Sequence, residues 1–407
     1  MFPGGLAIGE QEKQAVMKVL ESRCLFRYYG PQEFTSFVSL FETDLANHIN
    51  AKYVLGVSSG TGALVTVFSA LGVGPGDEVI IPAYTFIASA TAVLAAKAIP
   101  VIAEIDESLT LDLGDVERKI TAQTKAILAV HMRGVPCDME GLRRLAEGHG
   151  IEIIEDVAQA MGGRYRHQHL GTLGRINAFS LQFHKVITCG EGGVVVTDNP
   201  ELAYRARMYH DSAGFWRFGS DSAEFAVRSI IPGVNYRMSE IQGALASVQL
   251  SKLEDLLGKM RRNKRLIKDG IQDLHVLRFR PLHDAAGETA ICLVFYLPEA
   301  PLARRFASAL RAENVSATTI YEPGRSNWHV YADWRHILEK QTVTSEGCPY
   351  SCPYYHGEVN YSPDMCPRTL ALLSRAVHLD ISPDLTTVEV EETIEAIRKV
   401  VKGLGLE

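Results

Sequence analysis

Apolar strand-like runs alternate with helical patterns through the first two-thirds of the 407-residue chain. This predicts an α/β fold, with a mainly parallel sheet covered by helices on both faces. Two observations carry the prediction. The candidate strands are continuous apolar runs rather than alternating ones, as a sheet buried on both faces requires, and helical spacing fills the stretches between them. A third observation concerns the end of the chain, where long helices mix with shorter extended segments and predict a smaller α+β domain.

The elements follow in order. Thr61 to Leu71 has helical spacing, and Gly74-Pro-Gly-Asp77 turns into the strand Glu78 to Pro82. A helix from Phe86 to Ala96 leads to the strand Pro100 to Ala103, and Lys125 to Val130 reads as a buried strand. Met139 to Gly150 is an amphipathic helix, followed by strands at Glu152 to Glu155, Ala178 to Leu181 and Gly193 to Thr197. From Ser239 a long helical pattern runs past Arg262 to about Ile271. Beyond it come the extended run Ala290 to Tyr296 and a last helix, Val388 to Lys402, with Thr387 as its N-cap. The expected boundary divides a large domain, 1–265, from a small one, 266–407. Gln341 to Asp364, rich in Pro, Gly and Tyr, reads as a long irregular loop.

Composition narrows the class. Hydrophobic residues at 46% and charged residues at 22% fit a soluble globular protein with a sizeable core. A net charge of −7 argues against nucleic acid or an anionic membrane as the main partner. The start, Met-Phe-Pro-Gly-Gly-Leu-Ala, lacks the basic-then-apolar order of a signal peptide. The most apolar window, Thr85 to Ala103, is interrupted by Lys97 and Pro100, so no membrane span is expected. Seven cysteines, an odd number, fit reduced thiols and a cytoplasmic location. Cys348 and Cys352 have a spacing that zinc pairs use, with His356 and Cys366 following, but a second tight pair is missing. A proline-pinned loop is the expected reading, with no metal.

The chemistry centres on Lys185, in Ser180-Leu-Gln-Phe-His-Lys185-Val-Ile-Thr-Cys-Gly-Glu-Gly-Gly193, just past a predicted strand. Asp156 ends another strand upstream, in Ile153-Ile-Glu-Asp156. Pyridoxal phosphate needs both groups: an amine to form a Schiff base and a carboxylate to keep the pyridine nitrogen protonated. Taken alone, Asp156 could equally cap a neighbouring helix. A lone buried lysine is costly, whereas one condensed with an aldehyde is not, and this favours the paired reading. Ser58-Ser-Gly60-Thr61-Gly62 opens a helix whose free amides and positive end suit a phosphate, although an ordinary N-cap has the same pattern. Ser180 offers a further hydroxyl, or a serine satisfied by backbone. Phe86, at the carboxyl edge of the sheet, is placed to stack on a pyridine ring, while Tyr84 fits core packing better. Gln159 lies three residues after Asp156, within reach of the same ring, and His184 is read as structural.

These residues, in this order, resemble the DegT/StrS family of sugar aminotransferases, which are fold-type-I pyridoxal phosphate enzymes. The matching pieces are Ser-Ser-Gly-Thr-Gly-Ala-Leu at 58–64, Pro-Ala-Tyr-Thr-Phe-Ile-Ala-Ser at 82–89 and Glu-Asp-Val-Ala-Gln-Ala at 155–160. Ser180 through Gly193 and Gly233-Val-Asn235-Tyr-Arg-Met-Ser-Glu240 complete the set. The resemblance implies a seven-stranded type of sheet and a Lys185 aldimine. It implies that Asp156 pairs with the pyridine nitrogen and that Phe86 stacks on the ring. Thr61, Gly62 and Ser180 would hold the phosphate. It also implies a homodimer with shared active sites, Asn235 reaching the phosphate of the other subunit.

Some family members carry histidine in place of the lysine and act as sugar dehydratases, so Lys185 favours transamination. The implied donor is glutamate or glutamine. The implied acceptor is a keto or aldehyde group on a sugar or cyclitol, nucleotide-linked sugars and sugar acids included. Tyr321, Asn327 and His329 fall where relatives line the sugar pocket, with Arg237 and His210 as lesser candidates. Phe26-Arg-Tyr28, the Ile-Thr-Cys-Gly-Glu run and Asn327-Trp-His329 are similar to enzymes aminating the eight-carbon sugar acid Kdo. The loop near Cys348–Tyr361 is expected where acceptor contacts arise. A dehydratase, and a pyridoxal phosphate-binding regulator without turnover, remain as alternatives.

Overall fold

The computed structural model describes residues 3–30, 34–214 and 231–406. In chain order its first strands are Tyr53–Val57 (β1), Glu78–Pro82 (β2), Ile99–Ala103 (β3), Thr124–Val130 (β4) and Glu152–Asp156 (β5). A short hairpin, Arg164–Tyr165 (β6) and Gln168–His169 (β7), pairs only with itself, and Asn177–Ser180 (β8) and Gly193–Thr197 (β9) follow. Seven of these form one sheet in the order β1-β9-β8-β5-β4-β2-β3, parallel except for β9, which runs against both its neighbours.

The apolar runs are continuous because both faces are covered. Ile80, Ile127, Ile153, Phe179 and Val194 point into one apolar cluster, and Val79, Leu128, Ile154, Ala178 and Val195 into another on the opposite face. The two-residue period of a strand sorts them. Apart from Ala178, each such side chain, when fully buried, stabilises the fold by about 1.5–3 kcal/mol. The helix Gly60–Leu71 is buried without a break from Gly62 to Phe68, wedged between the sheet and neighbouring helices.

A second sheet is antiparallel throughout: Arg278–Phe279 (β10), Cys292–Tyr296 (β11), Ala317–Thr319 (β12) and Ala376–Asp380 (β13), in the order β10-β11-β13-β12. The helices Ala300–Ala312 and Thr387–Gly403 bring Phe306, Leu310, Ile397 and Val401 into the apolar cluster that holds Phe295 and Leu379 of this sheet.

Four details differ from the sequence reading. β1 is an additional strand, its apolar run broken by Gly56, and it pairs with β9 far along the chain. The long helical pattern after Ser239 is two helices, Glu240–Ser251 and Leu253–Asp269. They meet at Lys252, whose Nζ is tied to Glu12 and to the Ala7 carbonyl. The last helix is capped by Thr386, not Thr387, because Glu389 stands three residues after Thr386 and completes a reciprocal capping box.

The fourth detail concerns the Pro/Gly/Tyr-rich loop. It is irregular, as expected, but it does not reach the cavity described below. Tyr355 donates its hydroxyl to Glu78 Oε1 at 2.7 Å, and Tyr361 donates to the Pro100 carbonyl at 2.6 Å. Glu78 and Pro100 stand at the beginnings of β2 and β3. The loop therefore covers the edge of the sheet opposite the strand ends that carry Phe86 and Asp156.

Candidate active site

A cavity of about 1050 Å³ opens at the carboxyl ends of β2, β4, β5 and β8, the edge where parallel sheets bind ligands. Its lining brings together Gly60, Thr61, Phe86, Asp156, Gln159, Ser180, Lys185 and His329. These residues are spread over 270 positions of sequence (329 − 60 + 1), and strand ends gather most of them.

Asp156 is the last residue of β5 and is buried. One oxygen accepts the Ala158 N–H at 2.9 Å and the other a long bond from Ser89 at 3.4 Å, leaving acceptor capacity unused. Burial pushes its carboxyl up, against the Ala158 N–H, Lys185 and Ser89, which pull it down. Lys185 follows β8 in a tight turn, its N–H donating to Gln182. Burial pushes its amine down, opposed by Asp156 and Glu191 and reinforced by Arg133. Among the described residues its Nζ has no hydrogen-bond or ion-pair partner, so the amine is held by the turn alone.

Phe86 sits in the bend before the helix Ala88–Ala95, rather than inside a helix from Phe86 to Ala96 as the pattern suggested. That placement leaves its ring 47% exposed to the cavity, 5.3 Å from the His329 ring. The helix Gly60–Leu71 points its N-terminus into the same space beside Ser180. The approach is close: a Cβ on Gly60 would lie 2.7 Å from that of Ser180, so only glycine fits. Gln159 uses its Oε1 to accept the Arg133 N–H at 3.0 Å.

Other expected residues stand elsewhere. The amide of Gly62 is spent on the Ser59 hydroxyl at 2.9 Å, as part of the N-cap, and Gly62 does not line the cavity. Asn235 is exposed beside Asp211, its side-chain oxygen accepting the Arg237 N–H. Tyr321 packs against an apolar cluster, and Asn327 orients its own loop through the Ile320 carbonyl and the His329 N–H. Arg237 pairs with Asp211, and His210 meets the Tyr28 hydroxyl at 2.9 Å.

The sequence reading missed Arg133, which lies three residues past β4, at the edge where Asp156 ends β5; nearness to a strand end was the available signal. It also missed Asp380, supplied by β13 of the other sheet. The network behind Asp156 escaped notice too. The Cys137 N–H donates to His131 Nδ1, so the ring proton lies on Nε2 and is donated to Glu155. Glu155 also accepts N–H groups from Gly171, Leu173 and Gly174.

The cavity fits pyridoxal phosphate on its own features. A buried carboxylate has spare lone pairs, an amine is without a partner, a flat ring forms an open wall, and a helix N-terminus lies beside a hydroxyl. Asp156 would hold the pyridine nitrogen, Lys185 the aldehyde carbon, Phe86 the ring face, and Gly60, Thr61 and Ser180 the phosphate.

The DegT/DnrJ/EryC1/StrS aminotransferase family model matches residues 6–350. The spore coat polysaccharide biosynthesis protein SpsC of Bacillus subtilis (strain 168) is 30% identical over 401 residues, spanning 97% of this chain and 96% of that protein. The crystal structure of 3-amino-5-hydroxybenzoic acid synthase superposes with a TM-score of 0.81 at 26% identity, over 99% of both chains. DesV of S. venezuelae superposes with a TM-score of 0.75 at 31% identity, over 95% of this chain and 93% of that one.

Proposed function

Because the chain belongs to the DegT/DnrJ/EryC1/StrS aminotransferase family and is a pyridoxal phosphate-dependent aminotransferase, we propose that it moves an amino group from glutamate or glutamine to a keto or aldehyde group on a sugar or cyclitol. The observation that carries this reading is the meeting of Asp156 and Lys185 in one cavity walled by Phe86. The likeness to a spore coat polysaccharide biosynthesis protein supports a carbohydrate acceptor.

When bound, the cofactor supplies the electron sink. The protein's own groups do the rest. Lys185 would hold the cofactor's aldehyde carbon between turnovers and, once the donor's amine displaces it, its freed amine would be the base that takes up the proton lost from the donor's Cα. Burial, which disfavours its charged form, makes it readier to give up a proton than an exposed lysine. Asp156 keeps a proton on the pyridine nitrogen; the added cation reverses the burial penalty on its carboxylate. The helix beginning at Gly60, with Thr61 and Ser180, anchors the phosphate so that the ring does not drift between half-reactions. Phe86 covers one face and keeps water from it. The second subunit of a homodimer would add Asn235 to the phosphate.

The test is the visible absorption spectrum of the purified protein before and after glutamate, and then glutamine. Conversion of the cofactor band with release of a keto acid is the expected result. A coloured protein inert to both amino acids would overturn the choice of donors. A protein that stays colourless with added cofactor would overturn the roles given to Lys185 and Asp156.

A further inference from the structure

Arg133 has no part in the cofactor site described above, yet it lines the same cavity. The turn Met132–Gly134 holds it in left-handed backbone, at φ 57° and ψ 34°, a conformation that costs a non-glycine residue about 1–3 kcal/mol and persists only where surroundings enforce it. The enforcement is visible. Its N–H donates to Gln159 Oε1 at 3.0 Å. Gly134, at φ 76°, is jammed so tightly on Thr289 that a Cβ would lie 1.9 Å from its hydroxyl, and the Thr289 N–H donates to the Gly134 carbonyl at 3.0 Å.

The guanidinium is fixed as firmly as the backbone. Nη2 donates to Cys292 Sγ at 3.1 Å and pairs with Asp380, which reaches over from β13. Nε is buried without a partner. Nη1 has no partner among the described residues. The side chain keeps 23% of its surface accessible, which leaves Nη1 as the end available to a ligand in the cavity. The side chain is thus locked from behind and open in front, the arrangement of a preorganised receptor for an anion.

Resting on the aminotransferase reading, we propose that Arg133 is the receptor for the carboxylate of the amino donor, with Asp380 orienting the guanidinium. Every α-amino acid donor brings a carboxylate one bond from the carbon whose proton Lys185 removes. His329, the neighbouring wall, has its ring proton on Nδ1, donated to Asn327 Oδ1 at 3.2 Å, and is held neutral. Once Lys185 is engaged by the cofactor, Arg133 is the fixed positive charge lining this part of the cavity among the described residues. A sugar acid would bring a carboxylate as well, so the experiment separates donor from acceptor.

The probe is glutarate, which is glutamate without its amino group, titrated into the cofactor-loaded protein and read as a change in the visible band. Wild type should bind it saturably. Arg133→Met should bind about 10- to 100-fold more weakly, the range expected for a lost charge-assisted hydrogen bond, and Arg133→Lys should fall between. Unchanged affinity in Arg133→Met, or no binding by wild type, would overturn the proposal. Melting temperature and the cofactor band check that the variants fold; if Arg133→Met does not, the comparison rests on Arg133→Lys.

A second readout compares glutamate with its α-carboxamide as donor. Wild type should prefer glutamate by a similar factor and Arg133→Met should not, whereas general damage would lower both alike. The KM for glutamate should rise while the acceptor's stays constant; the reverse pattern would give the seat to the acceptor and defeat the assignment. If no amino acid converts the wild-type cofactor band, it is the aminotransferase reading that fails, and the glutarate titration still decides whether Arg133 receives a carboxylate.

Discussion

The two edges of the seven-stranded sheet are built from the same strands and treated in opposite ways. At the starts of β2 and β3 polar groups find partners. Glu78 accepts from the Thr121 and Tyr355 hydroxyls, and the Pro100 carbonyl accepts from Tyr361. At the other edge, Lys185 has no partner for its Nζ among the described residues, Asp156 has lone pairs to spare, and Phe86 shows nearly half its surface. Strand burial does not produce the contrast, since β4 and β5 are less buried at their starts than at their ends; the difference lies in what the connecting segments bring. One edge is closed for stability. The other keeps its valences for a ligand and accepts the cost.

Lys185→Ala should separate the two edges most sharply. Removing the amine that holds the aldehyde carbon and moves the proton should lower turnover by about 10³-fold or more. Stability should hold or rise, because burial disfavours the charged amine and that strain disappears with it. Steady-state rates and a melting curve on the same preparation check both halves. Near-wild-type turnover would remove Lys185 from the mechanism. A large loss of stability would mean that the open edge is as structural as the closed one.

The opposite edge gives the complementary case. Tyr355→Phe deletes one of the donors to Glu78, a carboxylate that is only 2% exposed. Leaving a buried acceptor short should cost about 1–3 kcal/mol of unfolding free energy, with kcat and both KM values unchanged. Urea unfolding and kinetics together test it. A changed acceptor KM would restore the loop to the substrate-contacting role its sequence suggested.

That contrast also explains how far the sequence could be read. The sheet was legible because β2, β4 and β9 are unbroken apolar runs, and two-faced burial leaves such runs no other place. Lys185, Asp156 and Phe86 were legible because each lies at a strand's end or within five residues of one, so local pattern and function coincide. Arg133 gave only its nearness to the end of β4, and its meeting with Asp380 of β13, 247 residues away, has no local pattern to carry it. The loop from Gln341 was recognised as irregular but misplaced, because composition gives flexibility of backbone and not the face on which tyrosines will find acceptors. Gly62 sits in the right motif, yet its amide goes to Ser59, a choice made by cap geometry rather than by sequence.

His329 belongs to the open edge, and the smallest predicted effect turns on its charge. Burial pushes its imidazole down to about 4, and the nearby cations Arg133 and Lys185 push the same way. The ring is therefore neutral from pH 5 to 8, and the donor half-reaction should show no limb near pH 6.5 from this residue. For stability the sign follows from which state protonates first. As pH falls below about 6.5 the unfolded chain takes up the proton and the folded one does not. The stability His329 contributes is thus complete above about pH 6.5 and is lost progressively toward pH 4. His329→Gln should shrink the drop in urea midpoint between pH 7 and pH 4.5. The shrinkage should be modest, because His169 and His210 are also held near 4 by burial and remain in the variant. An unchanged drop would mean that His329 shares its proton with the folded state after all. The open edge would then admit enough water to charge the ring, and Arg133 would share that wall of the cavity with a second cation.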